Sequence, residues 1–188
     1  MKILLIVGGF FAAVCLIGFF LPTAYAVERK VTINATPEQV HALVGDLKAW
    51  PQWAPWEEDD PTIKTTYGEK TTGVGASQSW TGKDGDGELT LTASSPTTGI
   101  AYDMAFIQGD MRAPAECAMS YQVADGTTTV TWSMKGDLAS MMPPVLSGYM
   151  NLTMPSMIGG MFDRGLEKLK GIAESGTPAP AEVPAEQQ

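Results

Sequence analysis

The sequence has one histidine and two cysteines in 188 residues, and no cluster of basic side chains. Each shortage removes a class of function. Two cysteines cannot form a disulfide framework or a four-ligand zinc site, and a lone histidine leaves little for metal or triad chemistry. With 12 Lys and Arg against 21 Asp and Glu, the formal net charge is −9. Such a surface repels phosphate backbones, which excludes nucleic acid as a partner. No phosphate-cradling loop with its lysine, no dinucleotide fingerprint and no G-x-S-x-G turn occurs, so the sequence calls for no cofactor and no metal. The length suits one domain large enough to bury a core.

Apolar residues are concentrated at the start of the chain. Ile3–Leu21 carries no charge, follows Lys2, and runs into Pro22-Thr23-Ala24-Tyr25-Ala26. This segment, residues 1–26, reads either as a transmembrane anchor or as a signal peptide cut near Ala26. Roughly 20 residues span a bilayer whereas signal cores reach only about 15, which favours an anchor through residues 3–21. Lys2 and the amino terminus compete with Arg29 and Lys30 for the positive side, and the domain is expected outside the cytoplasm, with secretion after cleavage as the alternative. Cys117 is then the only thiol of the exported part, with nothing to mispair with inside one chain. Without residues 1–26, whose one charged side chain is Lys2, the domain is more acidic than the whole.

The rest of the chain divides by period. Val27–Ala35 alternates like a strand. Thr36, Pro37 and Gln39 then form a capping box for a helix whose stripe is Val40, Leu43, Val44 and Leu47. Trp53–Pro61 is rich in indoles and acids and reads as a structured loop. From Thr62 to Gly136 six strands are separated by short Gly-rich turns, most simply an antiparallel meander. Alternation places Ala76, Gln78 and Trp80 on one face, with Ile100, Tyr102, Met104 and Phe106, then Cys117, Met119 and Tyr121, then Val130, Trp132 and Met134. A helix over about Ser156–Glu174 carries a stripe of Met157, Met161, Leu166 and Leu169, preceded by a looser segment holding Leu146, Met150 and Met154. Residues 175–188 are rich in Pro, Ala and Glu and read as a disordered tail. An apolar sheet face and an apolar helix stripe must cover each other, and a strongly curled sheet leaves a cavity between them.

Residues 27–174 carry several linked motifs: Ile33-Asn-Ala35-x-Pro37-x-x-Val40, Asp46-Leu47-x-x-Trp50-x-x-Trp53-x-Pro55-Trp56, Gly73-x-Gly75 before Trp80, and Gly126-Thr127 leading to Val130-x-Trp132. The last is Phe162-x-x-Gly165-Leu166-x-x-Leu169-Lys170. Together they resemble the START-like, helix-grip superfamily (SRPBCC), specifically its polyketide cyclase/dehydrase and lipid transport group. The resemblance implies an α+β helix-grip (START/Bet v 1-like) fold, a curved antiparallel sheet packed on a long C-terminal helix, here preceded by an N-terminal hydrophobic helix. It also implies a pocket for a hydrophobic or lipid-like small molecule, but no shared catalytic motif.

Twelve residues are the candidate lining of that pocket: Gln78, Trp80, Tyr102, Met104, Phe106, Met119, Tyr121, Trp132, Met134, Met154, Met157 and Met161. Methionine gives a deformable apolar wall, and Gln78, Tyr102 and Tyr121 offer polar handles for a carbonyl or hydroxyl. Trp50, Trp53 and Trp56 read as a plug joining the first helix to the sheet. His41 falls outside the inner face, as a partly exposed helical residue. The main expectation is non-catalytic binding. Its rivals are a cyclase or dehydratase using Tyr102, Tyr121 or Cys117, and an envelope interaction module acting through the acidic surface and tail. Glu57–Asp60 and the Asp84, Asp86, Glu88 group lack the spacing of a calcium loop and read as solvated turns.

Overall fold

In the computed structural model the described residues are 2–83 and 85–176, with side chains described from Ile6 onward. Asp84 and the tail from residue 177 lie outside them. Helix α1 covers Lys2–Phe20. Strand β1, Ala24–Ile33, follows after three residues and begins before the expected boundary at Val27. Helix α2, Pro37–Val44, has both halves of the capping box: the Gln39 amide donates to Thr36 Oγ1, and Gln39 Oε1 accepts the Thr36 N–H at 2.9 Å. α2 ends at Val44, short of the expected Leu47, and a 3₁₀ segment at Leu47–Gln52 follows it; within the expected loop Trp53–Pro61 the chain forms a single-turn helix α3, Trp56–Asp59.

The strands are β2 Lys64–Tyr67, β3 Ser77–Thr81, β4 Asp86–Ser95, β5 Gly99–Gln108, β6 Met111–Ala124 and β7 Thr127–Asp137. They form one sheet in the order β1-β7-β6-β5-β4-β3-β2, antiparallel throughout. This is the expected meander, closed by β1 along β7. A bulge in β4 between Leu91 and Ala93 adds local bend. β6 starts four residues earlier than its apolar pattern suggests and takes in Pro114. Pairing with β7 begins only at Ala115. At Pro114 the strand therefore has a neighbour on one side alone, where a missing N–H is tolerated.

Helices α4, Pro144–Asn151, and α5, Met154–Ser175, follow the sheet. The buried stripe of α5 is Ile158, Phe162, Leu166, Leu169 and Ala173, which corrects the expected one by a residue. Met157 is 61% exposed. Ile158 and Phe162 point to the sheet, where Phe162 stacks on Trp132 with ring centroids 4.0 Å apart and planes 5° from parallel. Gly165 crosses the same indole, and a Cβ there would lie 3.0 Å from it. Arg29 of β1 pairs with Asp163 at 3.2 Å, and the Asn34 amide donates to Glu174 Oε1 at 2.8 Å, so α5 lies along the β1 edge.

Because Phe162 is 2% exposed and seats α5 on Trp132, Phe162→Ala is expected to cost about 3–5 kcal/mol of stability. Urea unfolding of the full chain followed by tryptophan emission measures it.

Candidate functional site

The 3₁₀ segment is fixed by its indoles. Trp50 Nε1–H donates to the Val44 carbonyl at 2.9 Å and Trp53 Nε1–H to the Leu43 carbonyl at 3.0 Å. Both acceptors are in the last turn of α2, whose carbonyls have no partner within the helix. α3 is tied to α5 by Asp59 with Arg164 and by Glu58 with Lys168. Asp60 is buried and accepts from the Thr62 amide and hydroxyl through Oδ1, and from the Lys83 amide through Oδ2. These contacts account for three of the four carboxylates of the first acidic cluster, and the buried Asp60 departs from the solvated turn expected there. Among the described residues no group of three or more His, Cys, Asp or Glu could hold a metal ion.

The segment thus anchored roofs a cavity of about 450 Å³ over β2–β5. The floor comprises Gln78 and Trp80 of β3, Leu89 of β4, and Tyr102, Met104 and Phe106 of β5. Trp50, Ala54 and Trp56 close the roof, and Met141, Met154 and Met161 form the edge toward α4 and α5. Carboxylates of Glu57, Asp59, Asp60 and Asp86 border it. Trp80 and Phe106 meet edge to face at 6.1 Å. Gln78 is 8% exposed, and its Oε1 is buried with no hydrogen-bond partner. An unsatisfied amide of this kind costs about 1–3 kcal/mol. A wider groove of about 770 Å³ includes Glu88, Asp103, Arg112, Glu116 and Lys135 among its walls. Four of these are exposed carboxylates or cations in the pairs Arg112–Glu88 and Lys135–Glu116, so its lining is mixed, with charged pairs beside apolar residues such as Leu89, Met104 and Pro114.

Of the candidate lining residues, Gln78, Trp80, Tyr102, Met104, Phe106, Met154 and Met161 meet in this cavity. The other five lie elsewhere. Met119, Trp132 and Met134 are on the inner face as expected, but at β6 and β7, where α5 and the indoles leave them 0–3% exposed in solid core. Tyr121 packs near His41, its hydroxyl 3.4 Å from Nδ1. Met157 faces outward. The inferred plug residues Trp50 and Trp56 form walls as well as packing. Met141 was missed because the Met141-Met142-Pro143-Pro144 break carries no periodicity.

Of the groups proposed for chemistry, Tyr102 and Cys117 face each other across β5 and β6 with their side chains hydrogen-bonded, whereas Tyr121 stands apart beside His41. The Tyr102 hydroxyl accepts from Trp132 Nε1 at 2.9 Å, and burial holds its pKa well above the usual tyrosine range. Burial likewise pushes the Cys117 thiol up to about 12, so it is not a thiolate nucleophile at neutral pH. Tyr121 is raised by burial at a separate location. His41 Nε2 lies 3.3 Å from Ser94 Oγ. Desolvation lowers the His41 pKa from its ordinary 6.5.

That shift has a stability consequence. Below pH 6.5 the unfolded chain takes up a proton at His41 that the folded chain resists, so stability is fully present above 6.5 and lost as pH falls through the folded pKa. Urea midpoints between pH 7.5 and 5 should show a downward slope that is shallower in His41→Gln.

The family model for polyketide cyclase / dehydrase and lipid transport proteins matches residues 25–174. Among curated proteins, no sequence matches this chain. Similar solved structures include a protein of Chromobacterium violaceum, 13% identical with a TM-score of 0.58, covering 79% of this chain and 96% of that one. Another, from Thermobifida fusca, is 20% identical with a TM-score of 0.55, covering 80% and 93%. The di-domain ARO/CYC StfQ from the steffimycin biosynthetic pathway is 10% identical with a TM-score of 0.58. That alignment covers 82% of this chain and 52% of StfQ. At these identities the likeness is one of fold.

Proposed function

The chain belongs to the polyketide cyclase / dehydrase and lipid transport family, and from that premise we propose that it encloses a hydrophobic or lipid-like small molecule in the β2–β5 cavity while tethered to a membrane by α1. The observation that carries the reading is the cavity itself: apolar walls around one buried, unpartnered amide oxygen at Gln78. A ligand hydroxyl would satisfy that oxygen, and an apolar body would displace water from Trp80, Met104, Phe106 and Met154. Binding is preferred to turnover because Cys117 and Tyr121 stand outside the cavity and the Tyr102 hydroxyl already has a partner.

Among the described residues no helix is long and apolar enough to cross a membrane. The tether rests on the uncharged run Ile3–Leu21. Retention of that run is supported by β1. Ala24, Tyr25 and Ala26 pair with Asp137, Gly136 and Lys135, and Tyr25 is 8% exposed. A cut after Ala26 would remove three rungs of the sheet and a core tyrosine. On this reading the folded domain lies outside the cytoplasm, where Cys117 has no second cysteine within the domain to pair with.

Native mass spectrometry of the full chain, released from detergent and titrated with dodecanol or its methyl ether, tests the ligand reading. Both probes should bind, and Met104→Trp should abolish both. Gln78→Leu should weaken dodecanol by about 2–10-fold, the worth of one hydrogen bond, and leave the ether unchanged. Failure of the unaltered chain to bind either probe would overturn the proposal.

A further inference from the structure

Leu138–Phe162 contains no Asp, Glu, Lys, Arg or His, in a chain where 18% of residues are charged. The segment holds a short 3₁₀ turn at Leu138–Ser140, α4, and the first turns of α5. Its large apolar side chains are turned outward: Leu146, Leu152 and Met157 are each about 60% exposed. Core packing does not explain them.

α4 packs on the end of α1. A methyl at Gly148 would lie 2.5 Å from the Gly18 carbonyl oxygen, so the two backbones touch. Tyr149 donates its hydroxyl to the Val14 carbonyl at 2.8 Å, and Asn151 Nδ2 donates to the carbonyls of Pro22 and Ala24 at 3.0 and 3.2 Å. On α1 itself Phe10, Phe11, Leu16, Ile17, Phe19 and Phe20 are exposed. The two elements therefore share one uncharged, apolar outer surface. Because Val14 lies six residues before Phe20, α4 reaches about 9 Å along α1 from its end. Interfacial helices sink roughly 5–10 Å into the headgroup and acyl boundary.

The strands place the cavity at the same end. Ala24, where β1 leaves α1, pairs with Asp137, where β7 enters the uncharged segment. Met141, Met154 and Met161 belong to that segment and also line the cavity. The opposite end of β7 is the turn at Asp125-Gly126, about 35 Å away along 11 residues of strand.

We infer that Leu138–Phe162 is a second membrane-contacting element, lying beside α1 in the headgroup and acyl boundary of a lipid bilayer and holding the methionine edge of the cavity against the lipid. The inference rests on α1 being in the membrane. With no cation in the segment, binding depends on apolar insertion and needs no anionic lipid. A ligand would then enter along Met141, Met154 and Met161 from the lipid side.

Spin-label accessibility in phosphatidylcholine vesicles tests this. Single cysteines replace Leu146, Leu152 or Met157 in the full chain carrying Cys15→Ala, with Cys117 left in place because it is buried and poorly reactive. Phe11→Cys reports on α1, and Val123→Cys, beside the far turn, is the aqueous control. Near-UV circular dichroism confirms folding of each variant. Labels at 146, 152 and 157 should collide more with oxygen than with a water-soluble nickel complex, the inverse of position 123, and adding phosphatidylglycerol should not strengthen this. Water-like labels at 152 and 157 beside a lipid-like label at 11 overturn this inference and leave the tether standing. A water-like label at 11 overturns the tether and the inference with it. Labels shielded from both reagents would report a protein, or a second copy of the chain, on this face, and would also overturn it.

Discussion

The position of Trp132 governs the arrangement of the other elements. Its indole is fully buried at the middle of β7 and touches a different element on each side. Phe162 of α5 stacks on its face, and Trp53 and Trp56 meet it edge to face at 5.5 and 5.8 Å. Its N–H is satisfied by Tyr102 of β5. Aromatic pairs of this geometry contribute about 0.5–1.5 kcal/mol each beyond the area they bury. The sheet, the C-terminal helix and the segment after α2 are thus held at one point. Gly165 lets α5 come down on that point without a side chain intervening.

A cavity follows from the same contact. A helix about 10 Å across covers two or three strands spaced about 4.8 Å apart, and this sheet has seven. Seated on Trp132 and tied to β1 through Arg29 and Asn34, α5 fills the β1, β7 and β6 side. The inner face of β2–β5 needs another cover. That cover is the short Trp50–Asp60 segment, fixed at one end by indole N–H bonds to α2 and at the other by ion pairs to α5. A thin roof over four strands leaves unfilled volume, and Gln78 is the polar group stranded in it. The space expected between sheet and long helix lies instead beside that helix.

Much of the fold was legible because strand alternation is a local signal. The inner-face residues read by period two, from Ala76 to Met134, turn to the core or the cavity, although Phe106 in the cavity wall stays 38% exposed, and the capping box sets α2 where its sequence says. The site was legible only in part, for two physical reasons. Alternation tells which face a residue is on, not whether a helix fills the space above it. Met134 and Met104 are therefore equivalent in sequence, yet one is core and the other cavity wall. In α5, Met157 with Met161 and Ile158 with Phe162 both have helical spacing, so two adjacent stripes compete. The aromatic stack on Trp132, a contact between distant residues, decides between them.

The joint between α1 and β1 bears on how any ligand reaches the cavity. Only Leu21, Pro22 and Thr23 separate the two elements, and Asn151 holds the carbonyls on either side of Thr23. The Leu138 amide donates to the Thr23 carbonyl itself at 3.1 Å. A linker this short, bonded at successive residues, is not a flexible tether. With α1 in a bilayer, as proposed, the domain is held to one orientation at the surface, the Asp125-Gly126 turn pointing away and the methionine edge pointing down. An apolar ligand partitions into lipid far better than into water. A cavity whose edge is fixed at that boundary shortens the aqueous path the ligand must cross, and it does so through the sequence of the α1–β1 joint and not through any motion of the domain.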